Sequence, residues 1–194
     1  MNSSSDKKNP KPALLMVDLI NSFSFKHGCL LAEKTENMIP NINLLRDLFI
    51  KRDFPIIYVN DHYKLNNPSA EKVLKHCTNP LSYNIIQEIK PKRHELCIFK
   101  PNYSGFYQTE LDHELKKQEV THLIILGVAG NRCVLFTAND AFMRDYNLII
   151  PYDAISSITD YDEKVAVYMM KDILNAKLIL SQEIESVINE LFKN

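Results

Sequence analysis

Three reactive side chains stand at or just beyond the ends of short apolar runs in this sequence. Asp18 closes one run, Lys100 closes a second, and Cys133 follows a third after a brief turn. A thiol attacks as its thiolate, and a nearby ammonium favours that thiolate. A carboxylate in reach can take the thiol proton and later return it to a leaving amine. These residue types predict nucleophilic catalysis by Cys133, with Asp18 and Lys100 as its partners.

The turn before the thiol, GVAGNRC, holds two of the four glycines of the chain. Gly127 and Gly130 allow a tight backbone turn that could aim N–H groups at a developing oxyanion. The residues after Cys133 are typical of a helix, whose N-terminus carries partial positive charge. We therefore expect the helix and Lys100 to lower the pKa of the Cys133 thiol.

Six apolar or β-branched runs alternate with helical patterns along the chain, and each is predicted to be a strand. They cover residues 13–19, 55–60, 95–100, 121–126, 147–151 and 176–180. Strands that are apolar on both faces are typical of a parallel sheet covered by helices on both sides. The predicted fold is therefore a three-layer αβα sandwich with a six-stranded parallel sheet. Ligands of such sheets bind outside the carboxyl ends of the strands, where all three reactive residues fall.

Helical periodicity places helices between these strands. Residues 36–52 predict a helix with Pro40 in its first turn, and residues 181–192 predict another with Ser181 as N-cap. Residues 111–118 and 162–175 are also predicted to be helical. The polar segment 61–91 is expected to hold short helical pieces.

Composition limits the classes of protein to consider. The 194 residues suit a single domain over 12–194, preceded by a polar leader over 1–11 that we expect to be mobile. A formal net charge of −1 gives no basic field for nucleic acid, and no apolar run is long enough for a membrane span. The four cysteines form no C-x-x-C pair, which favours free thiols and a cytoplasmic location.

The segments LLMVDLINSF, IFKPNYSGFYQTELD and GVAGNRCVLFTANDAFMRDYNLIIPYDAISS closely resemble the isochorismatase-like cysteine hydrolase superfamily. The resemblance implies that Asp18 is the proton shuttle, Lys100 the electrostatic partner and Cys133 the nucleophile. It also implies a cis peptide bond between Val128 and Ala129. The N–H groups of Ala129 and Cys133 would then form the oxyanion hole.

The resemblance leaves the reaction open among three hypotheses. The presence of Cys133 favours hydrolysis of a C–N bond in a small amide, ureide or carbamoyl compound, without a redox cofactor. The alternatives are isochorismatase-type vinyl ether hydrolysis that uses Asp18 alone, and a non-catalytic binding protein that retains the fold. The expected partner is a small-molecule substrate. Some family members form dimers or tetramers, so the resemblance also implies a possible homodimer or homotetramer.

Four residues near the reactive positions are candidates for the substrate pocket. Phe23, Tyr103 and Phe106 follow the strand ends that carry Asp18 and Lys100, although each could equally be part of the core. Asn131 lies in the turn, where this chain departs from many relatives. The run DLINSF departs too, because Ile20 stands where many relatives have glutamine. Both departures fall on the expected pocket wall and affect the choice of substrate.

A metal site is not predicted. Nicotinamidases of this superfamily bind a divalent ion through a D-x-H motif and a later histidine. This chain has Asn60, Asp61, His62 and His76 in the corresponding stretch. Asn60 would replace a carboxylate by a neutral amide, which is a poorer ligand for a hard cation.

Overall fold

The computed structural model of the protein describes residues 10–193 and shows an open parallel sheet flanked by helices. The strands are β1 (Pro12–Val17), β2 (Ile56–Asp61), β3 (Leu96–Lys100), β4 (His122–Val128), β5 (Asn147–Pro151), β6 (Ile155–Ser156) and β7 (Lys177–Ile179). The helices are α1 (Gly28–Lys51), α2 (Ala70–Cys77), α3 (Tyr83–Ile89), α4 (Leu111–Lys117), α5 (Leu135–Phe142), α6 (Asp160–Tyr168) and α7 (Ile184–Leu191). The predicted αβα sandwich is confirmed.

The sheet runs in the order β3-β2-β1-β4-β5-β7, and every pairing between neighbours is parallel. All six residues of β1 are buried, and successive residues of a strand point to opposite faces. Both faces of the central strand are therefore covered, as the apolar runs predict. The order of the strands reverses between β1 and β4, and this switch point is where open α/β sheets bind ligands.

A two-residue strand, β6, was not predicted. It pairs with Gly127 and Val128 at the carboxyl end of β4, beyond the part of β4 that pairs with β5. Two residues are too few to show strand periodicity in a sequence. The strand nonetheless matters, because it supports the backbone immediately before the turn that carries Cys133.

The prediction for the first helix is wrong at its N-terminus. α1 begins at Gly28, so Pro40 lies inside the helix and not in its first turn. Proline in a helix interior costs about 3 kcal/mol, because one backbone hydrogen bond is lost. Pro40 is exposed, whereas the opposite face of α1 is buried. That face, which carries Leu31, Thr35, Met38, Ile42, Leu45 and Phe49, continues through the proline and outweighs its cost.

The N-cap prediction for Ser181 is also wrong. Ser181 begins a short 3-10 turn, and its backbone N–H and its hydroxyl both donate to Asp153 Oδ1, at 2.9 and 2.7 Å. This tertiary partner replaces the helix N–H that a capping serine would bind. Of the predicted leader, residues 1–9 lie outside the described residues. Lys11 is tied to Thr121, because the N–H of Lys11 donates to Thr121 Oγ1 at 2.8 Å.

A buried ion pair between Arg46 and Glu95 lies away from the carboxyl edge of the sheet. Arg46 on α1 donates to both carboxylate oxygens of Glu95, at 2.7 and 2.5 Å, and also to the carbonyl oxygen of Lys90. Glu95 accepts the backbone N–H of Lys92 as well. The pair thus joins α1 to the connection before β3, and both of its side chains are almost fully buried.

We predict that Glu95→Ala lowers the free energy of unfolding by about 3–5 kcal/mol, because it leaves the Arg46 guanidinium buried without its counter-ion. The matched control is Glu185→Ala, which breaks an exposed pair with Arg52 and should cost less than about 1 kcal/mol. Urea unfolding of both variants measures the two costs. Equal losses would contradict a stabilising role for the buried pair.

Candidate active site

Asp18 follows β1 directly and is held by the end of β2. Its φ of 48° is left-handed, and its N–H donates to the carbonyl oxygen of Val59 at 2.9 Å. Its Oδ1 accepts the backbone N–H of Asp61 at 2.7 Å. Because β1 and β2 are neighbours in the sheet, the strand ends themselves aim this buried carboxylate.

Lys100, the last residue of β3, brings the three reactive groups together. Its ammonium lies 2.7 Å from Asp18 Oδ2 and 3.4 Å from Cys133 Sγ, and it donates to the carbonyl oxygen of Asn102 at 3.0 Å. The Lys100 side chain is only 1% exposed. The structure therefore brings Asp18, Lys100 and Cys133 into one buried cluster at the switch point of the sheet.

The ionisation of the cluster differs from the sequence prediction in one respect. Burial, and then the nearby Asp18 carboxylate, raise the pKa of the Cys133 thiol well above its usual value, while Lys100 acts to lower it. Lys100 favours the thiolate as predicted, but burial and Asp18 outweigh it. Burial opposes the charge of Lys100 too, yet the Asp18 carboxylate holds the pKa of Lys100 above its ordinary value. The raised pKa values of both groups favour a protonated thiol beside a charged lysine at neutral pH.

The turn between β4 and α5 has the backbone that the resemblance implies. The Val128–Ala129 peptide bond is cis, and Gly127 has a φ of 125°. A Cβ at Gly127 would lie 2.0 Å from the carbonyl oxygen of Val17, so only glycine fits against β1. The five residues from Gly130 to Val134 form a π-helical turn that leads into α5. Cys133 thus sits on the N-terminal side of a helix, as predicted.

The predicted oxyanion hole and Asn131 lie in this turn. The carbonyl oxygen of Ala129 accepts the N–H groups of Arg132 and Val134, at 3.0 and 3.3 Å. The Asn131 N–H donates to Ser157 Oγ at 3.1 Å and is therefore not free for an oxyanion. The roles of the Ala129 and Cys133 N–H groups, and contact of the Asn131 side chain with substrate, stay predictions.

The loop after Lys100 is attached to the helix after Cys133. Ser104 Oγ donates to Asp140 Oδ2, and the N–H of Gly105 donates to Thr137 Oγ1 at 3.0 Å. Thr137 and Asp140 lie one turn apart on α5. This double contact sets the position of the helix after Cys133 relative to the loop after Lys100.

The three candidate pocket aromatics lie in different surroundings. Phe23 is 1% exposed and belongs to the core. Phe106 is buried against Tyr146, with their ring centroids 6.0 Å apart. Tyr103 is exposed and packs against the exposed Phe136 on α5, at 5.5 Å. Phe136 lies one helical turn beyond Cys133, and contact of any of the three aromatics with substrate stays a prediction.

Asn60, which sequence reasoning considered only as a metal ligand, holds the segment after Asp18. It is fully buried, and its amide group accepts the N–H of Ile20 at 3.1 Å and donates to the carbonyl oxygen of Ile20 at 2.8 Å. The hydroxyl of Tyr63 donates to that same carbonyl oxygen at 2.8 Å. A buried asparagine at a strand end was the available signal, because such a group must find partners.

The residues that could correspond to a metal site are committed to local contacts. The oxygen of Asn60 is bonded to the backbone, Asp61 Oδ1 accepts the N–H of Tyr63 at 2.5 Å, and His62 Nδ1 accepts a backbone N–H at 2.9 Å. His76 packs its ring against Tyr63, with centroids 5.0 Å apart. Among residues 10–193 no cluster of three potential metal ligands is found.

Lys100→Met provides a test of the electrostatic pairing. Because Lys100 lowers the pKa of Cys133, its removal should slow labelling by iodoacetamide at neutral pH. It should also shift upward the pH at which Cys133 reaches a fixed rate of alkylation, which serves as the labelling midpoint. Each unit of pKa corresponds to about 1.4 kcal/mol. The exposed Lys171→Met is the matched control and should leave the curve unchanged. Mass spectrometry of the labelled Cys133 peptide gives the rates, and an unmoved midpoint in Lys100→Met would refute the pairing.

Fold and site together define an open parallel α/β protein with an acid, a lysine and a thiol clustered at its switch point. A family model described as the isochorismatase domain matches residues 12–183. The chain is 44% identical over 172 residues to the uncharacterized isochorismatase family protein YaaI of Bacillus subtilis (strain 168), covering 89% of this chain and 95% of that protein. The chain belongs to the isochorismatase family, and it is a hydrolase.

Two further relatives carry names that state an activity. The chain is 37% identical to ureidoacrylate amidohydrolase RutB of Yersinia enterocolitica over 87 residues. Those residues cover 44% of this chain but only 38% of that protein. The crystal structure of N-carbamoylsarcosine amidase from Thermoplasma acidophilum superposes with a TM-score of 0.70 at 27% identity, covering 90% of this chain and 99% of that one.

Within residues 10–193, no helix combines the length and apolar character needed to cross a membrane.

Proposed function

We propose that the protein hydrolyses a C–N bond in a small amide, ureide or carbamoyl compound through a thioester-type intermediate on Cys133. The observation that carries this proposal is the position of the Lys100 ammonium, 2.7 Å from Asp18 and 3.4 Å from Cys133. That contact places a base and a nucleophile on either side of one buried cation. The amidohydrolase and the amidase among the relatives support the same chemistry.

Asp18 is the base in this scheme. The raised pKa of the Cys133 thiol favours its protonated form at rest, and Asp18 lies in the same cluster, so the carboxylate can take the proton as sulfur attacks the substrate carbonyl carbon. Lys100 keeps its positive charge and stabilises the thiolate character that develops on sulfur. Its raised pKa makes it unsuited to serve as the base.

The remaining steps return the cluster to its starting state. The S–C bond forms, and the carbonyl oxygen becomes an oxyanion that the N–H groups of Ala129 and Cys133 would stabilise. Asp18 then gives its proton to the leaving nitrogen as the C–N bond breaks, releasing ammonia or an amine. Water then attacks the thioester and gives a proton to Asp18. The Cys133 thiolate leaves as the S–C bond breaks, and it takes that proton back from Asp18.

A screen of neutral carbamoyl, ureido and simple amide compounds tests the proposal. Ammonia or amine release is measured at neutral pH, and rapid acid quench followed by mass spectrometry looks for an acyl adduct on Cys133. We expect release from at least one class, with the adduct on the Cys133 peptide. Release without any adduct even in single-turnover samples, or no release from any class, would count against the proposed mechanism.

A further inference from the structure

The turn that carries Cys133 is held from the side by Ser157, a buried serine that directly follows β6. Ser157 is fully buried, and its Oγ accepts the N–H of Asn131, two residues before the thiol, at 3.1 Å. The turn lies close to this serine, because a Cβ at Gly130 would lie 2.9 Å from Ser157 Oγ. Gly130 therefore allows the hydroxyl to reach the backbone.

Glu163, in the first turn of α6, fixes the position of Ser157. Its Oε2 accepts the backbone N–H of Ser157 at 3.1 Å and the hydroxyl of Ser156 at 3.0 Å. This carboxylate is not needed to cap α6, because Thr159 already accepts the N–H of Asp162 as N-cap. The contacts of Glu163 with the serines therefore serve the segment that faces the turn.

We propose that Ser157 is a positioning residue for Cys133 and that Glu163 acts through it. This inference rests on the proposed role of Cys133 as nucleophile. The thiol must keep its place beside Lys100 and Asp18, and a displacement of about 1 Å can reduce a rate 100-fold. Two hydrogen bonds link α6 to the turn: Glu163 accepts the backbone N–H of Ser157, and Ser157 Oγ accepts the backbone N–H of Asn131.

Ser157→Ala is the direct test, and Ser156→Ala is its matched control. Ser156 is an equally buried neighbour whose hydroxyl contacts Glu163 and the carbonyl oxygen of Ser157 but makes no hydrogen bond to the turn. Iodoacetamide labelling of Cys133 is followed from pH 6 to 10 by mass spectrometry. Cys77, whose pKa burial raises to about 11, is measured in the same sample and reports unfolding.

We expect the labelling midpoint of Cys133 to fall by about half a pH unit or more in Ser157→Ala, because a loosened turn admits water and burial is the largest cause of the raised pKa. The two charged side chains that act on the thiol, Asp18 and Lys100, are unchanged in this variant. Labelling of Cys77 should remain slow, and Ser156→Ala should match the wild type. An unchanged or higher midpoint in a folded Ser157→Ala would overturn the proposal.

Glu163 supplies a second pair of variants that does not depend on the first. Glu163→Gln keeps an oxygen that can accept the Ser157 N–H and should behave as the wild type, whereas Glu163→Ala should reproduce the shift of Ser157→Ala. Equal labelling midpoints in the two Glu163 variants would also overturn the proposed positioning role. Turnover of whichever amide the wild type cleaves should fall at least tenfold in Ser157→Ala with little change in KM. If the wild type cleaves no amide, the proposed function fails, while the labelling curves still decide the role of Ser157.

Discussion

Replacing Cys133 by alanine is expected to lower amide turnover by at least about 10⁴-fold, because loss of the nucleophile removes the covalent route entirely. The residual rate would come from binding and from the N–H groups of the turn. Cys133 is partly buried and lies against the core, so the small change to alanine should leave the fold intact. Steady-state release of ammonia, together with circular dichroism of the variant, measures the effect.

The same variant separates the reaction hypotheses. Cys29→Ala, at an exposed position on α1, is the matched control and should keep wild-type turnover. Vinyl ether hydrolysis by Asp18 alone needs no thiol, so a Cys133→Ala protein that keeps its full activity toward a vinyl ether would favour that alternative.

The fold could be predicted because the signals that determine it are local. The strands β1, β2, β4 and β5 are apolar runs that are buried along most of their length, and such runs can lie only between layers of helices. β6 could not be predicted, because its pairing with β4 depends on where the chain goes after β5. Pro40 misled the prediction since a local rule about proline was outweighed by a buried face that only the folded helix reveals.

The clustering of the candidate site residues was predictable from the sequence, but the electrostatics of the cluster was not. Strand ends meet at one edge of a parallel sheet, and so Asp18, Lys100 and Cys133 could be placed together. The direction of the Cys133 pKa could not be predicted, because it is the balance of burial, Asp18 and Lys100 at known positions. Ser157 and Asn60 escaped notice as supports for the same reason. A short polar side chain shows its role only when its backbone partner is known.

The raised pKa of Cys133 leads to a distinctive expectation for Asp18→Asn. Asp18 raises the thiol pKa, so its replacement by a neutral amide should shift the labelling midpoint of Cys133 downward and speed alkylation at neutral pH. Amide turnover should nevertheless fall by about 10²–10⁴-fold, the usual range for loss of a general acid–base group. The variant would have a more reactive thiol and a far less active site.

These opposite effects distinguish a base from an electrostatic partner. Lys100→Met should move the midpoint up and Asp18→Asn should move it down, although both variants lose turnover. Asp53→Asn is the matched control, because Asp53 also has a left-handed φ, of 54°, but is exposed and precedes β2 at the opposite edge of the sheet. It should change neither quantity. Slower labelling in Asp18→Asn would mean that the carboxylate activates the thiol at rest, and the proton transfer would then precede substrate binding. Faster labelling with lost turnover would place the transfer during the attack, since a thiolate that forms more readily is of no use when no acid remains to protonate the leaving nitrogen.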